Sequence, residues 1–336
     1  MRVRVGAVAV ALLAALVATP AHAEPLPQAP ASRTDPAAPG PFAVASTTTV
    51  GPCRGPAAVE QTGEARRDRV FAPLECTDAA PIGTRSGTGV NFYYPIDSGR
   101  THPLVVFSGG FGANPGYFDR LSRHFASHGY VVAVSYQLDE LVPYSTFRGI
   151  RRAVAADADR RSPLFGRIDL RSVVIAGHSY GATNALHAAD LLGLRARGIA
   201  TPAEFSLPRG VRVVGVVAIG PAVGTVANAV ATPTLVMSGT RDIVAPPREI
   251  RRTFDGIVDA PAWWAVVRDA THLMTLGPVA QNTQAGIETA FLDYVTTGAN
   301  CARFASSAWP ADARVADAAR NPRARSAECD PLRAVR

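Results

Sequence analysis

A serine flanked by two glycines is the residue of this chain whose surroundings are most typical of covalent chemistry. The run Gly177-His178-Ser179-Tyr180-Gly181 follows a β-branched segment, Val173 to Ile175, and precedes a helix-compatible segment from Ala182 to Leu192. A strand, a sharp turn and a helix in this order form a nucleophile elbow, which exposes the serine Oγ above the end of the strand. Gly177 and Gly181 are expected to give the strained turn the room that it needs. The pattern therefore predicts Ser179 as a nucleophile.

A serine nucleophile needs a general base, and the base needs an orienting carboxylate. Of the seven histidines, His272 directly follows a predicted strand, so it can reach the sheet edge at which the elbow lies. The other six are placed less well. One precedes a strand (His102), three lie in predicted helices (His124, His128 and His187), one lies near the N-terminus in a segment expected to be removed (His22), and one occupies the variable position of the elbow (His178). Asp242 follows another strand and gives the chain order Ser…Asp…His. Asp269 and Asp259 are the alternatives for the acid.

Two backbone N–H groups are expected to stabilise the oxyanion of an acyl-transfer reaction. Tyr180, the residue after the nucleophile, supplies the first, and Phe111, in the glycine-rich loop after an early strand, supplies the second. The same loop could be only a tight turn, and its glycines lack the G-x-G-x-x-G spacing of a dinucleotide site. Leu273 and Met274 are predicted to form a substrate wall. We expect neither a cofactor nor a metal.

Apolar runs alternate with segments of helical periodicity over most of the chain. The predicted strands are 90–95, 104–107, 130–134, 173–176, 211–219, 234–237 and 263–267, and the predicted helices are 115–128, 146–159, 182–192, 249–254 and 283–295. This order predicts an α/β fold with a doubly wound, mostly parallel sheet and helices on both faces. The short connection before Thr234 leaves no room for a cap domain.

The ends of the chain differ from its middle in composition. Two arginines, an apolar run to Val17 and Ala21-His22-Ala23 are typical of a signal peptide, so residues 1–23 are expected to be cleaved after Ala23. An uncleaved membrane anchor is the alternative. We divide the remainder into a disordered Pro/Ala-rich linker (24–50), a catalytic domain (51–300) and a C-terminal extension (301–336). The mature protein is expected to be secreted, without a stable membrane anchor.

Four cysteines, Cys53, Cys76, Cys301 and Cys329, suggest two disulfides in an exported protein. Three connectivities are possible, and we favour the local pairs Cys53–Cys76 and Cys301–Cys329. Zinc is a weaker alternative because no C-x-x-C spacing is present. The net charge is +7, and all 34 basic residues are arginines, since the chain has no lysine. They are scattered rather than arranged in a basic stripe, which argues against a nucleic-acid partner.

Several of these segments resemble the α/β-hydrolase superfamily. They are Gly109-Gly110-Phe111, the run Leu121 to Val134, Gly-His-Ser-Tyr-Gly, the stretch Pro233 to Pro246, and Ala270-Thr271-His272. More narrowly, they are similar to bacterial cutinase-like polyester hydrolases and to the dienelactone-hydrolase and platelet-activating-factor-acetylhydrolase types, over about residues 90–300. The resemblance implies a lidless, cofactor-free esterase with Ser179, Asp242 and His272 as its triad and with Phe111 and Tyr180 as oxyanion donors. The C-terminal cysteine pair also looks like the disulfide that such enzymes carry near their end.

The chain departs from those polyester hydrolases at two places. They typically have a methionine after the nucleophile, where this chain has Tyr180, and a substrate-stacking tryptophan where it has Pro221-Ala222-Val223-Gly224. The sequence as a whole predicts a monomeric, exported serine esterase that acts on short- or medium-chain, lipid or polyester-like esters. A peptidase or amidase with the same triad and a non-catalytic, cell-wall-associated binding protein are the alternatives.

Overall fold

A mixed β-sheet of nine strands forms the centre of the molecule. The computed structural model describes residues 35–53, 73–77, 89–97, 99–137, 142–305, 307, 309–310 and 312–326. Within these residues the strands are β1 Val44–Ser46, β2 Val50–Pro52, β3 Glu75–Thr77, β4 Gly89–Pro95, β5 His102–Ser108, β6 Val131–Tyr136, β7 Ile168–His178, β8 Val213–Ile219, β9 Thr234–Gly239, β10 Ala262–Val267 and β11 Val315–Arg320. The order in the sheet is β1-β4-β6-β5-β7-β8-β9-β10-β11, and β2 and β3 form a separate hairpin.

The six central strands, from β6 to β10, run parallel, and antiparallel strands continue the sheet at both ends. Because the central strands are covered on both faces, their buried segments are continuous apolar runs rather than alternating ones. Val105 and Phe107 of β5 belong to one hydrophobic cluster, while Leu104 and Val106 belong to the other. The predicted fold class, a doubly wound and mostly parallel sheet, is confirmed.

Helices cover the two faces of this sheet. In the described residues they are α1 Asp119–Ser127, α2 Tyr144–Ala158, α3 Tyr180–Ala196, α4 Pro247–Gly256, α5 Ala285–Thr297, α6 Cys301–Ala305 and α7 Pro322–Arg325. Helices α1 and α5 pack on one face, and α2, α3 and α4 pack on the other. No helix in the described part of the chain combines the length and the apolar composition needed to cross a bilayer.

Two connections determine the shape of the site. Residues 220–233, all of them described, join β8 to β9 without a helix or strand, so no cap domain is inserted there. The predicted helix 115–128 is divided into a 3-10 helix, Pro115–Phe118, and α1. The 3-10 helix begins at a side-chain cap, since the Asn114 side chain accepts a hydrogen bond from Gly116 N at 2.8 Å.

The segment 35–50, which we predicted as the end of a disordered linker, has tertiary contacts. β1 pairs antiparallel with β4, and the carbonyl groups of Pro36 and Ala38 accept hydrogen bonds from His124 (2.9 Å) and His128 (2.8 Å). Composition can indicate that a segment is unable to build its own core. It cannot predict that the segment pairs with the edge strand of a sheet that is distant in sequence. Residues 24–34 lie outside the described residues, as does the predicted signal peptide.

Residues after 300 also take part in the sheet. β11 pairs antiparallel with β10, and Trp264 of β10 donates a hydrogen bond from Nε1 to Asp317 Oδ2 of β11 at 3.0 Å. The sequence predicts no strand here because the run Val-Ala-Asp-Ala-Ala-Arg lacks both β-branched enrichment and alternation. The predicted boundary between the catalytic domain and the C-terminal extension, at residue 300, therefore falls inside the sheet, because β11 is its edge strand.

Candidate active site

Ser179 lies in a sharp turn between β7 and α3. Its backbone has φ 57° and ψ −126°, in the left-handed half of conformational space that non-glycine residues rarely adopt. Such a backbone costs about 1–3 kcal/mol and persists only where the surroundings impose it. Here Ser179 N donates to Ile219 O of the adjacent strand β8 at 2.9 Å. The fold therefore holds the serine at the carboxyl edge of the sheet.

The two elbow glycines are required by close backbone contacts. A Cβ on Gly177 would lie 2.3 Å from the carbonyl of Gly181, and a Cβ on Gly181 would lie 2.1 Å from Ser108 O. Neither neighbour is a flexible side chain, so even alanine would displace the backbone of the turn. The structure thus supplies the physical reason for the G-x-S-x-G spacing.

His272 and Asp242 form a buried pair beside the elbow. The distance from His272 Nδ1 to Asp242 Oδ2 is 2.9 Å, and both side chains are shielded from solvent. Since an ionised carboxylate can only accept, His272 donates from Nδ1, which leaves Nε2 free to accept a proton. The other oxygen of Asp242 accepts hydrogen bonds from Val244 N at 3.0 Å and from Ala245 N at 2.7 Å. Hydrogen bonds therefore hold both oxygens of the carboxylate.

The two alternative acids lie elsewhere. Asp269 is 74 % exposed and forms a 3.0 Å ion pair with Arg241. Asp259 pairs with Arg197 and Arg323. The structure therefore brings Asp242, and neither alternative, to His272.

Close packing of two loops brings Asp242 and His272 together. Thr240 N donates to Val267 O at 2.9 Å, and Arg241 N donates to Ala270 O at 3.0 Å. A Cβ on Gly239 would lie 2.1 Å from Ala270 O, so the loops after β9 and β10 touch backbone to backbone. Their contact extends the parallel pairing of the two strands that precede them.

Sequence reasoning missed two residues that support His272. His178 is buried, and its Nε2 donates to His272 O at 2.7 Å, with the two ring centroids 4.7 Å apart. Burial, together with the nearby His272, lowers the pKa of His178 to about 3, so it stays neutral. Gly220 has φ 52°, and a Cβ there would lie 3.2 Å from Asp242 Oδ2. The variable elbow position and a glycine after β8 are weak signals, so neither role could be predicted.

The two residues predicted as oxyanion donors flank Ser179. Tyr180 is the first residue of α3, where N–H groups lack partners within the helix and carry its positive dipole end. Phe111 follows Gly110, whose added Cβ would lie 3.2 Å from Ser179 Cβ. The rings of Phe111 and Tyr180 are 6.1 Å apart, and both are exposed. The structure thus places the glycine-rich loop directly beside the serine.

A mostly apolar cavity of about 200 Å³ opens at Ser179. Its lining residues are Leu74, Gly110, Phe111, Ala113, Tyr117, Phe118, His178, Ser179, Tyr180, His272, Leu273 and Leu276. Of the two predicted wall residues, Leu273 lines the cavity and Met274 does not; Leu276 does so in its place. The cause is the 3-10 helix Met274–Leu276, since residues three apart are eclipsed at three residues per turn.

One disulfide joins two of the described residues. Cys53 and Cys76 are bonded, as predicted. Cys329 lies outside the described residues, so the Cys301–Cys329 pair stays a prediction. No group of three or more His, Cys, Asp or Glu side chains suited to a metal ion occurs in the described ranges.

Comparison with known proteins identifies the family. The family model described as "PETase: PET hydrolase-like" matches residues 48–294, which include the elbow, Asp242 and His272. No curated protein matches this sequence. The match covers more than half of the chain and agrees with the observed fold. The chain therefore belongs to the PET hydrolase-like family, whose members are carboxylic ester hydrolases with the α/β-hydrolase fold.

Proposed function

We propose that this chain is an exported serine esterase that cleaves carboxylic esters through an acyl-enzyme, with Ser179 as nucleophile, His272 as base and Asp242 as orienting acid. The observation that carries the proposal is the 2.9 Å hydrogen bond between Asp242 and His272, beside a cavity that His272 and Ser179 both line. Membership of an ester-hydrolase family supports the same reaction class.

Acylation follows from this arrangement. Ser179 Oγ attacks the ester carbonyl carbon while its proton passes to His272 Nε2, and Asp242 stabilises the imidazolium that forms. The C–O bond to the alcohol then breaks, and His272 returns the proton to the departing alkoxide. A water molecule next attacks the acyl-serine, again with His272 as base, and releases the carboxylic acid and free Ser179.

The negative charge on the carbonyl oxygen needs fixed donors. We assign this role to the backbone N–H groups of Tyr180 and Phe111. The N-terminus of α3 supports the first, and the contact between Gly110 and Ser179 supports the second. Removing one such donor in other hydrolases costs about 10²–10³ in kcat.

The substrate class is suggested by the surface around the cavity. Large apolar side chains are exposed in the segments that directly follow β5, β7, β8 and β9: Phe111 (63 %), Tyr180 (37 %), Val223 (53 %), Ile243 (85 %) and Val244 (60 %). All four strands run parallel, so these segments lie at the sheet edge that carries Ser179. Such a rim suits apolar esters, including the polyester chains that the family implies.

The aromatic surfaces of this site differ from those typical of polyester hydrolases. All three tryptophans are described, and none of them lines the cavity: Trp263 and Trp264 belong to β10, and Trp309 is buried. Phe111 and Tyr180 are the exposed aromatic rings at the nucleophile. We therefore propose that short- and medium-chain esters are accepted as well as polymers.

Matched ester and amide substrates distinguish this proposal from its alternatives. We expect hydrolysis of p-nitrophenyl butyrate to exceed that of the corresponding anilide by several orders of magnitude, and Ser179→Ala to lose about 10⁶-fold in kcat. A preference for the anilide would favour an amidase instead. A well-folded chain without either activity would favour the binding protein.

Export is the remaining part of the proposal. The Cys53–Cys76 disulfide supports it, since such bonds persist in oxidising compartments. We propose cleavage after Ala23 and a linker that begins at residue 24, with a catalytic domain that includes β1, since this strand belongs to the central sheet. Intact mass of protein recovered from the culture medium tests the cleavage site, and a mature chain that does not begin at Glu24 would contradict it.

A further inference from the structure

One wall of the cavity comes from a part of the chain far from the elbow in sequence. We propose that Leu74, next to the disulfide-closed hairpin of β2 and β3, is a specificity-determining residue that limits the size of the ester group bound in the cavity. This inference rests on the proposed function. Leu74 lines the cavity with Ser179, yet it lies more than one hundred residues before the serine.

The disulfide holds the backbone of Leu74 in place. Cys53 N donates to Leu74 O at 3.3 Å, and Cys53 is bonded to Cys76, two residues after Leu74. The side chain is buried and belongs to the same hydrophobic cluster as Tyr117 and Phe118, which also line the cavity. Leu74 therefore presents a fixed apolar surface rather than a mobile one.

Asn114 attaches the hairpin to the segment that follows the oxyanion loop. Its Oδ1 accepts from Thr77 N at 2.9 Å and from Gly116 N at 2.8 Å, and its Nδ2 donates to Thr77 O at 3.3 Å. A Cβ on Gly116 would lie 2.7 Å from the backbone of Cys76. The hairpin thus contacts the backbone of the 3-10 helix that carries Tyr117 and Phe118 into the cavity.

Arg120 joins this wall to the one near His272. Its Nη2 donates to Pro73 O at 2.9 Å and lies 3.4 Å from Glu75 Oε1, while its Nη1 donates to Leu276 O at 3.4 Å. One guanidinium therefore contacts the two residues that flank Leu74 and also the 3-10 helix after His272. These hydrogen bonds connect the backbone beside Leu74 to that of Leu276.

Fixed apolar walls around a small cavity discriminate by size. One methylene in a hydrophobic pocket changes kcat/KM by about 10- to 200-fold. Shortening Leu74 to alanine should let the cavity accept longer groups, and replacing it by phenylalanine should exclude groups that the native chain accepts.

The test measures selectivity ratios on Leu74→Ala, Leu74→Phe and the wild-type full chain. Two substrate series are used: p-nitrophenyl esters from acetate to octanoate, which vary the acyl group, and acetates of alcohols from methyl to octyl, which vary the alcohol. The measured quantity is the ratio of kcat/KM for the longest substrate to kcat/KM for the shortest: octanoate to acetate in the acyl series, and octyl acetate to methyl acetate in the alcohol series. In one of the two series this ratio should rise about 10-fold or more in Leu74→Ala and fall in Leu74→Phe. The ratio is independent of how much of each preparation is folded, because both substrates are assayed on the same sample.

Leu121→Ala is the matched control. Leu121 is a buried leucine of the same cluster that does not line the cavity, so its loss should lower the melting temperature and leave both ratios unchanged. Ratios that stay at the wild-type value in both Leu74 variants, or that shift equally in Leu121→Ala, would overturn the proposal. Persistence of activity in Ser179→Ala would instead overturn the proposed function, so the two failures are distinguishable.

Discussion

At the scale of single residues, the site depends on hydrogen bonds that fix one tautomer and one orientation. Asp242 accepts from His272 Nδ1 and from two backbone N–H groups, and His178 donates to the carbonyl oxygen of His272. Because the pKa of His178 is lowered to about 3, this donor keeps the same protonation state at neutral and mildly acidic pH. Both the ring and the backbone of His272 are therefore held before a substrate arrives.

Asp242→Asn tests the role of the carboxylate. An amide can donate to His272 Nδ1, which would place the proton on Nε2 and remove the base, so we expect kcat to fall about 10⁴-fold with little change in melting temperature. Initial rates on p-nitrophenyl butyrate measure it. Asp269→Asn is the control, since Asp269 forms only an exposed ion pair, and it should retain wild-type activity. Equal losses in the two variants would contradict the assignment of Asp242.

At the scale of elements, the disulfide hairpin of β2 and β3 supports the site from outside the central sheet. Its bond closes a loop with a sequence separation of 23 residues, and its contacts lead through Asn114 and Arg120 to the cavity walls. We therefore expect the hairpin to affect both folding stability and substrate binding.

The double variant Cys53→Ser/Cys76→Ser tests this link. We expect a loss of about 3 kcal/mol in the free energy of unfolding from the relaxed constraint on the unfolded chain. We also expect KM to rise more than kcat falls, because Leu74 loses its fixed position while the triad does not. Urea denaturation and steady-state kinetics measure the two effects. An unchanged unfolding midpoint, or a loss confined to kcat, would argue against the role given to the hairpin.

The elements that the sequence predicts well are those with local signals. The elbow follows from five consecutive residues, and Asp242 and His272 follow from their positions after buried strands. Leu276 replaces Met274 on the wall because a 3-10 helix changes which residues face the cavity. β1 and β11 have no local signal, since each depends on pairing with a strand distant in sequence. Leu74 reaches the site only through long-range contacts, which no periodicity reveals.

At the scale of the whole molecule, one buried carboxyl group makes the stability of the fold depend on pH. Glu288 in α5 is 0 % exposed, and neither of its carboxyl oxygens has a hydrogen-bond partner among the described residues. Burial raises the pKa of Glu288 from 4.5 to about 8. Between these values the folded state holds a proton that the unfolded state has released, so this group stabilises the fold below pH 4.5 and that contribution is lost as the pH rises towards 8.

Glu288→Gln should remove this dependence. We expect the variant to gain stability relative to the wild type as the pH rises from 5 to 8, by at most about 1.4 kcal/mol per pH unit. Urea denaturation of both proteins across that range measures the difference. Parallel stability curves would show that Glu288 does not titrate in the fold as its burial implies.

The central claim is that the fold assembles an activated serine at Ser179. The most direct measurement is intact-protein mass after exposure to a fluorophosphonate probe, with wild type, Ser179→Ala and Asp242→Asn treated side by side. We predict one adduct on the wild type that maps to Ser179, none on Ser179→Ala and much slower labelling of Asp242→Asn. A well-folded wild-type protein without an adduct, or an adduct that persists in Ser179→Ala, would contradict the account.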